Sequence, residues 1–423
     1  MTRACAIVVC LAVAVPTAGL TQERDGGNAL NIGIDGYGLS IGNSHRWNGL
    51  RFNFRDRGVD AINGLNFTLW RSKHNRWAGY NGLSVGIAPE GGTFRGLNVG
   101  LTGLVAHETL MGVNIGGLGL VSNRDMTGIN IGGLGTVANH DMTGINVGGL
   151  GLVANRDMTG INVGGLGLVA DGNMTGINVG GLGTVANRDM TGISVGGLGL
   201  VADGNMTGVN IGGLGLVANE DMTGINIGGL GTVADEDMTG INIGGLGTVA
   251  NENMTGINVA GLGAVANGDM VGVNVAGLGL VADGELAWVT VAGLGAVSNR
   301  GVKGLAVAGI GVISTGRPIV GAAVTAGEVR GREGIRGLAV GGYRVRTEDM
   351  RGWSTAVAWT KIGDLHGLSI ASVNYIYGQQ RGLTIGIFNY ARELHGVQIG
   401  LLNYAGNNDG IFKLTPIVNA HLN

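Results

Sequence analysis

The amino-acid sequence predicts an all-β protein, a parallel β-solenoid built from 16-residue rungs. A glycine recurs every 16 residues from Gly112 to Gly272, and each copy repeats nearly the same motif, which reads GINIGGLGTVANHDMT in the copy that begins at Gly128. A fixed period of this kind is the signature of a repeat architecture. The chain also has 88 glycines in 423 residues and is 44% hydrophobic, without the Gly-X-Y period of collagen, so it can bury a long, thin core.

One repeat alternates in the manner of strands and contains a break. In the copy at Gly128, Ile129 and Ile131 flank Asn130 with the period of a strand. The apolar residues that follow, Leu134 and Val137, fall on opposite parities, so the chain must turn between them, and the glycines there permit such a corner. We therefore predict two strands, Gly128–Gly132 and Leu134–Ala138, closed by a turn at 139–141.

Stacking of such rungs provides the core that a single rung lacks. Parallel stacking places each residue on its counterpart in the next rung, about 4.8 Å away. The small residue at Ala138 suits a cramped interior position. We expect the recurrent apolar side chains to be buried by this stacking, and in the copy at Gly128 they are Met126, Ile129, Ile131, Leu134 and Val137.

A large antiparallel outer-membrane β-barrel is the alternative fold, since one repeat has the length of one transmembrane strand plus a turn. Barrel strands carry aromatic girdles, yet Trp288 is the only aromatic residue between Phe94 and Tyr343. A Gly-Gly-Leu-Gly centre would also place poor strand formers at mid-membrane. The sequence therefore favours the solenoid.

The chain is predicted to have four segments. Residues 1–21 resemble an export signal with a positive start, an apolar run and small residues before a cleavage point, and they contain both cysteines, Cys5 and Cys10. Residues 22–95 are expected to form degenerate N-terminal rungs and a cap, and 96–303 the regular array. Residues 304–423 are expected to form degenerate C-terminal rungs, spaced by 14 to 17 residues, and a second cap.

An asparagine column is predicted to act as a structural ladder. Stacked side-chain amides can hydrogen-bond from rung to rung and so fix the register between rungs. The column is interrupted by Ser194, which can still form a hydrogen bond. Its predicted members are Asn114, Asn130, Asn146, Asn162, Asn178, Asn210, Asn226, Asn242, Asn258 and Asn274.

The turn between rungs reads Asx-x-Asx in copy after copy. Stacked turns would align side-chain oxygens, the ligands that calcium prefers. Asn and Asp also occur in turns because they hydrogen-bond to the local backbone, which is the favoured explanation here. Calcium candidates, should the ion bind, are the carboxylates of Asp221, Asp235 and Asp237 in the acidic group that also includes Glu220, Glu236 and Glu252. No other cofactor is expected.

The charge pattern and the scattered titratable residues point away from enzymes and nucleic-acid-binding proteins. The formal charge is −3, and the histidines show no metal-ligand spacing. No glycine-rich segment matches a phosphate-binding loop with its Lys-Ser/Thr ending. A group of arginines near the C-terminus could meet an anionic surface or could be a solvated face, and its members are Arg330, Arg332, Arg336, Arg344, Arg346 and Arg351.

The C-terminal segments Gly382-Leu-Thr-Ile-Gly-Ile-Phe-Asn-Tyr-Ala391 and Gly396-Val-Gln-Ile-Gly-Leu-Leu-Asn-Tyr-Ala405 show a resemblance. They are similar to the Gly-hydrophobic-Gln/Asn-hydrophobic-Gly repeats of a family of bacterial surface repeat proteins first noted in Leptospira. The resemblance implies an exported protein of the outer membrane or cell surface. We therefore expect a non-enzymatic structural or adhesive element of the cell envelope. A barrel pore or scaffold and a calcium-stabilised solenoid adhesin are the alternatives.

Overall fold

The computed structural model describes residues 28–422 and shows a β-solenoid of stacked parallel rungs of about 16 residues. The predicted export signal, with Cys5 and Cys10, lies outside the described residues. The chain divides into two compact units, Met1–Gly148 and Gly149–Asn423.

Strands β1 to β13 belong to the first unit. They span Ala29–Ile34, Tyr37–Gly42, Arg46–Asn53, Ala61–Thr68, Gly79–Gly86, Glu90–Gly91, Thr93–Gly100, Gly103–Ala106, Leu110–Gly116, Gly119–Ser122, Met126–Gly132, Gly135–Ala138 and Met142–Gly148.

Strands β14 to β41 belong to the second unit. They span Gly151–Ala154, Met158–Gly164, Gly167–Ala170, Met174–Gly180, Gly183–Ala186, Met190–Gly196, Gly199–Ala202, Met206–Gly212, Gly215–Ala218, Met222–Gly228, Gly231–Ala234, Met238–Gly244, Gly247–Ala250, Met254–Ala260, Gly263–Ala266, Met270–Ala276, Gly279–Ala282, Glu285–Ala292, Gly295–Ser298, Gly301–Ala308, Gly311–Ser314, Ile319–Thr325, Glu328–Gly331, Ile335–Gly341, Arg344–Ala356, Trp359–Ile370, Val373–Ala405 and Leu414–His421. A short 3₁₀ helix, Gly410–Lys413, precedes β41. The described chain holds no helix with the length and hydrophobicity needed to cross a membrane.

Rungs of the array pair in parallel and in strict register. In the first unit Gly128 pairs with Gly112 on one side and Gly144 on the other, and in the second unit Gly176 pairs with Gly160 and Gly192. Each rung therefore lies on the next with an offset of one repeat. The solenoid prediction requires this parallel pairing, whereas the alternative fold requires antiparallel pairing. From Met126 to Met270 the first strand of each rung begins at the methionine, two residues earlier than predicted.

The recurrent glycine bends the first strand of each rung. Gly128 has a φ of 112°, in the region that side-chain-bearing residues rarely adopt, and a Cβ there would lie 2.1 Å from the carbonyl oxygen of Gly112. Only glycine meets both demands without strain. The same backbone conformation recurs at the equivalent glycines of both units, which explains why the period is marked by this residue.

The interior does not contain the side chains that the apolar pattern predicted. Met126 and Ala138 are buried as expected, but Ile129 is 38% exposed and Leu134 50% exposed, while Asn130 between the isoleucines is fully buried. Ile131 and Val137 also lie on the outer face. The prediction that Ile129, Ile131, Leu134 and Val137 form the core is therefore wrong.

The tight corner of the rung accounts for this reversal. A Cβ on the inward-facing Gly132 would lie 2.2 Å from the carbonyl oxygen of Gly135, in the opposite strand of the same rung. The corner therefore admits no side chain at Gly132, and the inward parity of this glycine places Asn130 inside and Ile129 and Ile131 outside. The space between the two strands of a rung takes Met, Asn, Ala and, at the position of Thr136, a Leu, Thr or Ala.

Antiparallel pairing is found at the described ends of the chain. The first unit opens with the hairpin of β1 and β2, whose turn residues Asp35 and Gly36 have φ values of 50° and 76°, as in a type I′ turn. The second unit closes with β41, which pairs antiparallel with the end of β40. These terminal rungs thus differ from those of the array.

Candidate functional site

The predicted asparagine ladder lies in the interior as a chain of amide–amide hydrogen bonds. In the first unit the Nδ2 of Asn98, Asn114 and Asn130 each donates to the Oδ1 of the asparagine one rung later, at 2.8–2.9 Å. In the second unit the same bond joins Asn162 to Asn178 at 2.8 Å. It also links the run Asn210, Asn226, Asn242, Asn258 and Asn274 at 2.8–2.9 Å.

The ladder has one direction, and its ends are therefore unlike each other. In each of these hydrogen bonds the amide donates toward the C-terminus, so the ladder leaves a spare acceptor where it starts and a spare donor where it stops. The Oδ1 of Asn98, the Oδ1 of Asn210 and the Nδ2 of Asn274 have no hydrogen-bond partner among the described residues. A buried amide without a partner costs free energy, so the uninterrupted runs favour one register over any slipped one.

The calcium candidates Asp221, Asp235 and Asp237 act as hydrogen-bond acceptors in the turns. The Oδ1 of Asp221 accepts the backbone N–H of Asp237 at 3.0 Å, and that of Asp237 accepts the N–H of Asn253 at 2.8 Å. The Oδ1 of Asp235 accepts the Nδ2 of Asn251 at 3.1 Å. Within residues 28–422 no group of three or more His, Cys, Asp or Glu side chains is arranged to hold a metal ion.

In each unit the outward columns of the array form an apolar surface, here called the apolar edge. It consists of the positions equivalent to Ile129, Ile131, Leu134 and Val137, which hold only Ile, Val or Leu from 113 to 313. The leucine column is the most exposed, at 47–51% in the second unit. Its members there are Leu150, Leu166, Leu182, Leu198, Leu214, Leu230, Leu246, Leu262, Leu278 and Leu294.

The apolar edge and the Asx turns lie at the two ends of each rung. The leucine stands in the turn after the first strand, whereas the Asx residues and the variable residue between them stand in the turn after the second. Charged side chains of the array are concentrated at the second turn, as at Arg156, Arg188 and Glu220. Each unit is therefore amphipathic across its rungs.

The arginine group near the C-terminus is divided by the structure into separate environments. Arg344 pairs with Glu328 at 2.7 Å and lies over the ring of Trp359, and Arg351 pairs with Asp349 at 2.8 Å. Arg336 lies beside Arg351 in another column. Arg330, Arg332 and Arg346 instead line a groove of about 460 Å³, here called the basic groove, together with Lys361, Tyr375 and Tyr377.

A buried charged network occupies the first rungs of the described chain and escaped the sequence analysis. Arg51 and Asp56 are both buried, with 2.5 Å between Nη1 and Oδ1. Arg51 also donates to Asn66 at 2.7 Å, while Asp56 accepts from Thr68 at 2.8 Å and from the hydroxyl of Tyr80 at 3.0 Å. The signal was the motif Gly49-Leu-Arg-Phe52, which places an arginine where the next rung has Asn66.

Titration of this network follows from its contacts. Burial acts to raise the pKa of Asp56, but the Arg51 guanidinium and the hydrogen bonds from Asn53, Arg51 and Thr68 outweigh it and hold the pKa below its ordinary value. Burial and the Asp56 carboxylate raise the pKa of Tyr80 well above its ordinary value. The network is therefore a fixed ion pair with a neutral phenol, sealed from solvent, and its role is structural.

Comparison of the chain with protein-family models, with curated proteins and with solved structures finds no significant match.

Proposed function

We propose that the protein is an exported, non-enzymatic structural element of the bacterial cell envelope that lies laterally on a lipid surface through its apolar edge. The observation that carries this proposal is the inversion of the array, which buries asparagine and exposes isoleucine and leucine. Exposed contiguous apolar surface of this extent marks an interaction site. The export-like N-terminal segment and the resemblance to surface repeat proteins support an envelope location.

Lipid is the occupant that the composition of the edge favours. Its columns contain no charged residue from 113 to 313, and the charges of these rungs other than Lys303 lie at the other turn. This arrangement is typical of proteins that lie in a membrane interface. Aromatic side chains extend the edge: Phe52 and Phe67 continue the Ile131 column and stack at 5.2 Å. Outside the edge, Trp288 in the glycine column is also exposed, and tryptophan is enriched at lipid–water boundaries.

The experiment is flotation of the full chain with vesicles of phosphatidylethanolamine and phosphatidylglycerol. The variant L166S/L182S/L198S removes three consecutive exposed leucines without touching the buried columns. We expect the fraction of protein that floats with vesicles to fall several-fold, because each leucine that leaves lipid loses roughly 1–2 kcal/mol of transfer free energy at half exposure.

The matched control is T159S/T175S/T191S, three exposed threonines in the same rungs but away from the leucine turn. It should float like the unaltered chain. The two variants and the unaltered chain have the same N-terminal segment, so a difference in flotation between them is due to the apolar edge. If the leucine variant floats normally but changes the oligomer size in light scattering, the edge packs against a second copy and the lipid proposal fails.

A further inference from the structure

The basic groove is built by a change of residue type within one column of the second unit. Each residue of this column pairs with the next one along. The order of the column is Val297, Ile313, Arg330, Arg346, Lys361 and Tyr375. Three cations therefore stand in consecutive rungs, separated by about 4.8 Å of strand spacing. Like charges placed directly opposite each other destabilise a sheet. Nothing in the packing of the rungs requires cations here, since the same column is apolar throughout the array.

The groove's cations lack ionic partners among residues 28–422. The ion pairs of the described residues do not include Arg330, Arg332, Arg346 or Lys361. Lys361 has its Nζ 5.7 Å from the centre of the Tyr377 ring. Glu348 is the carboxylate among the lining residues, and it accepts a hydrogen bond from the Tyr377 hydroxyl. The groove thus carries an excess of three positive charges, from four cations and one carboxylate.

Tyr375, which lines the groove beside the cations, stands at the end of a stack of tyrosines. Tyr375, Tyr390 and Tyr404 stack one on another, with ring centres 4.8 and 5.0 Å apart. The stack covers one face of the Tyr375 ring, and the Lys361 ammonium lies over the ring of Tyr377. Ring edges carry partial positive charge and a phenol hydroxyl can donate a hydrogen bond, so Tyr375 complements anionic oxygens, whereas Tyr377 donates its hydroxyl to Glu348.

We propose that the basic groove binds phosphorylated ligands, with Arg330, Arg346 and Lys361 contacting phosphate oxygens. Arginine binds phosphate through two parallel N–H donors, and a line of cations at rung spacing suits two neighbouring phosphates better than one. The phosphate belongs to a lipid headgroup or to a soluble ligand. The site goes beyond the proposed lateral attachment, because it recognises charge and does not need the leucine column.

Isothermal titration of the full chain with inorganic pyrophosphate tests the soluble source. Binding should be measurable at low salt and weaken steeply as salt is added. R346Q, which neutralises the central cation, should weaken it roughly tenfold or more, the effect of losing charged hydrogen bonds. R346K should retain part of the affinity, because it keeps the charge but loses the paired donors.

R336Q is the matched control, since Arg336 is an exposed cation of a neighbouring rung in a different column. It should bind pyrophosphate like the unaltered chain. The lipid source is tested with vesicles of phosphatidylglycerol against vesicles of phosphatidylcholine. An excess of binding to phosphatidylglycerol that R346Q removes identifies a headgroup ligand.

Three results would overturn the site. The first is an R346Q chain that matches the unaltered chain in both the pyrophosphate and the vesicle titrations. The second is an equal loss in R336Q, which would mean diffuse attraction to net charge. The third is tighter binding of a single-stranded oligonucleotide than of pyrophosphate at equal ligand charge, since the groove would then serve nucleic acid. Because pyrophosphate binding involves no lipid, its failure is separate from failure of the flotation experiment.

Discussion

The Nδ2 of Asn178 lies 3.5 Å from the Oγ of Ser194, a weak contact where the other rungs of the ladder have an amide–amide bond of 2.8–2.9 Å. The serine side chain is too short to bridge the neighbouring rungs, and the Oδ1 of Asn210 on its far side has no partner. We expect S194N to join the two runs and stabilise the second unit by about 1–2 kcal/mol, one strengthened and one new hydrogen bond. Chemical denaturation measures this change.

The converse variant N226S provides the matched control for this prediction, because it places the same break between Asn210 and Asn242. It should destabilise by a similar amount. Hydrogen exchange of the backbone amides should locate both effects within the neighbouring rungs, since stability in repeat proteins is set by nearest neighbours. A destabilised S194N would mean that the ladder does not contribute net stability.

Loss of one member of the Arg51–Asp56 pair should lower the free energy of unfolding more than loss of both. R51M leaves a buried carboxylate without its cation, which typically costs about 3–5 kcal/mol. The double variant R51M/D56N should recover a large part of this loss, because no charge then remains buried. Chemical denaturation of the two single variants and the double variant gives the coupling free energy, and additive losses would contradict a direct interaction.

The pH dependence of this network follows from the lowered pKa of Asp56. A carboxylate whose pKa is lower in the folded than in the unfolded state contributes stability above its ordinary value of 3.8, and that contribution is lost as the pH falls through the folded-state pKa. The difference in unfolding free energy between the unaltered chain and R51M/D56N should therefore shrink at strongly acidic pH.

Trp288 is predicted to lower the free energy of unfolding because of its backbone conformation. It stands in the glycine column between Gly272 and Gly304 with a φ of 79°, and its side chain is 69% exposed. A bulky residue in this conformation is strained by about 1–2 kcal/mol. W288G should therefore raise the free energy of unfolding by about 1 kcal/mol. If the tryptophan anchors the protein to lipid, the same variant should bind vesicles more weakly.

Trp353 supplies the control for this prediction, because it is also exposed but has no positive φ. W353G should relieve no strain and should not raise the free energy of unfolding. A W288G chain that is less stable than the unaltered one would show that the indole makes contacts worth more than the strain.

Glu236 should destabilise the fold at neutral pH. Desolvation and the negative charges of Asp221, Glu220, Glu252 and Asp237 raise its pKa above 4.5. At a pH well below that value the Glu236 carboxyl is protonated in both the folded and the unfolded state and does not lower the free energy of unfolding. As the pH rises through the folded-state pKa, the folded state loses stability. E236Q should therefore raise the melting temperature at pH 7 and leave it unchanged near pH 4. The gain at pH 7 should diminish in high salt, because exposed charges are screened; an unchanged gain would point to a packing effect.

The solenoid itself was predictable because the period is visible in the chain, and the Asx turn could be placed for the same reason. Which parity faces inward could not be read from the alternation alone. Ile129, Asn130 and Ile131 would suit a strand with either face buried, and hydrophobicity favoured the wrong one. The deciding facts are distances across the rung, such as the close approach of Gly132 to the Gly135 carbonyl, and these exist only in the folded coil.

The candidate sites were predictable to different degrees. The arginines of 330–351 were identified as a group, but only the register separates Arg330 and Arg346 from the paired Arg344 and shows that Lys361 joins them. The partnership of Arg51 with Asp56 depends on a loop that returns an aspartate to the interior. No periodic pattern carries that information.

The strict register of the array has a consequence for how the gene can change. Because Gly176, Gly192 and Gly208 each pair with a counterpart 16 residues away, duplication or deletion of one whole repeat leaves every remaining rung with an equivalent neighbour above and below. Recombination between the near-identical coding segments can therefore lengthen or shorten the protein without a new folding problem. Natural length variants would then differ in the reach of the apolar edge while the terminal hairpin, the buried ion pair and the basic groove stay the same.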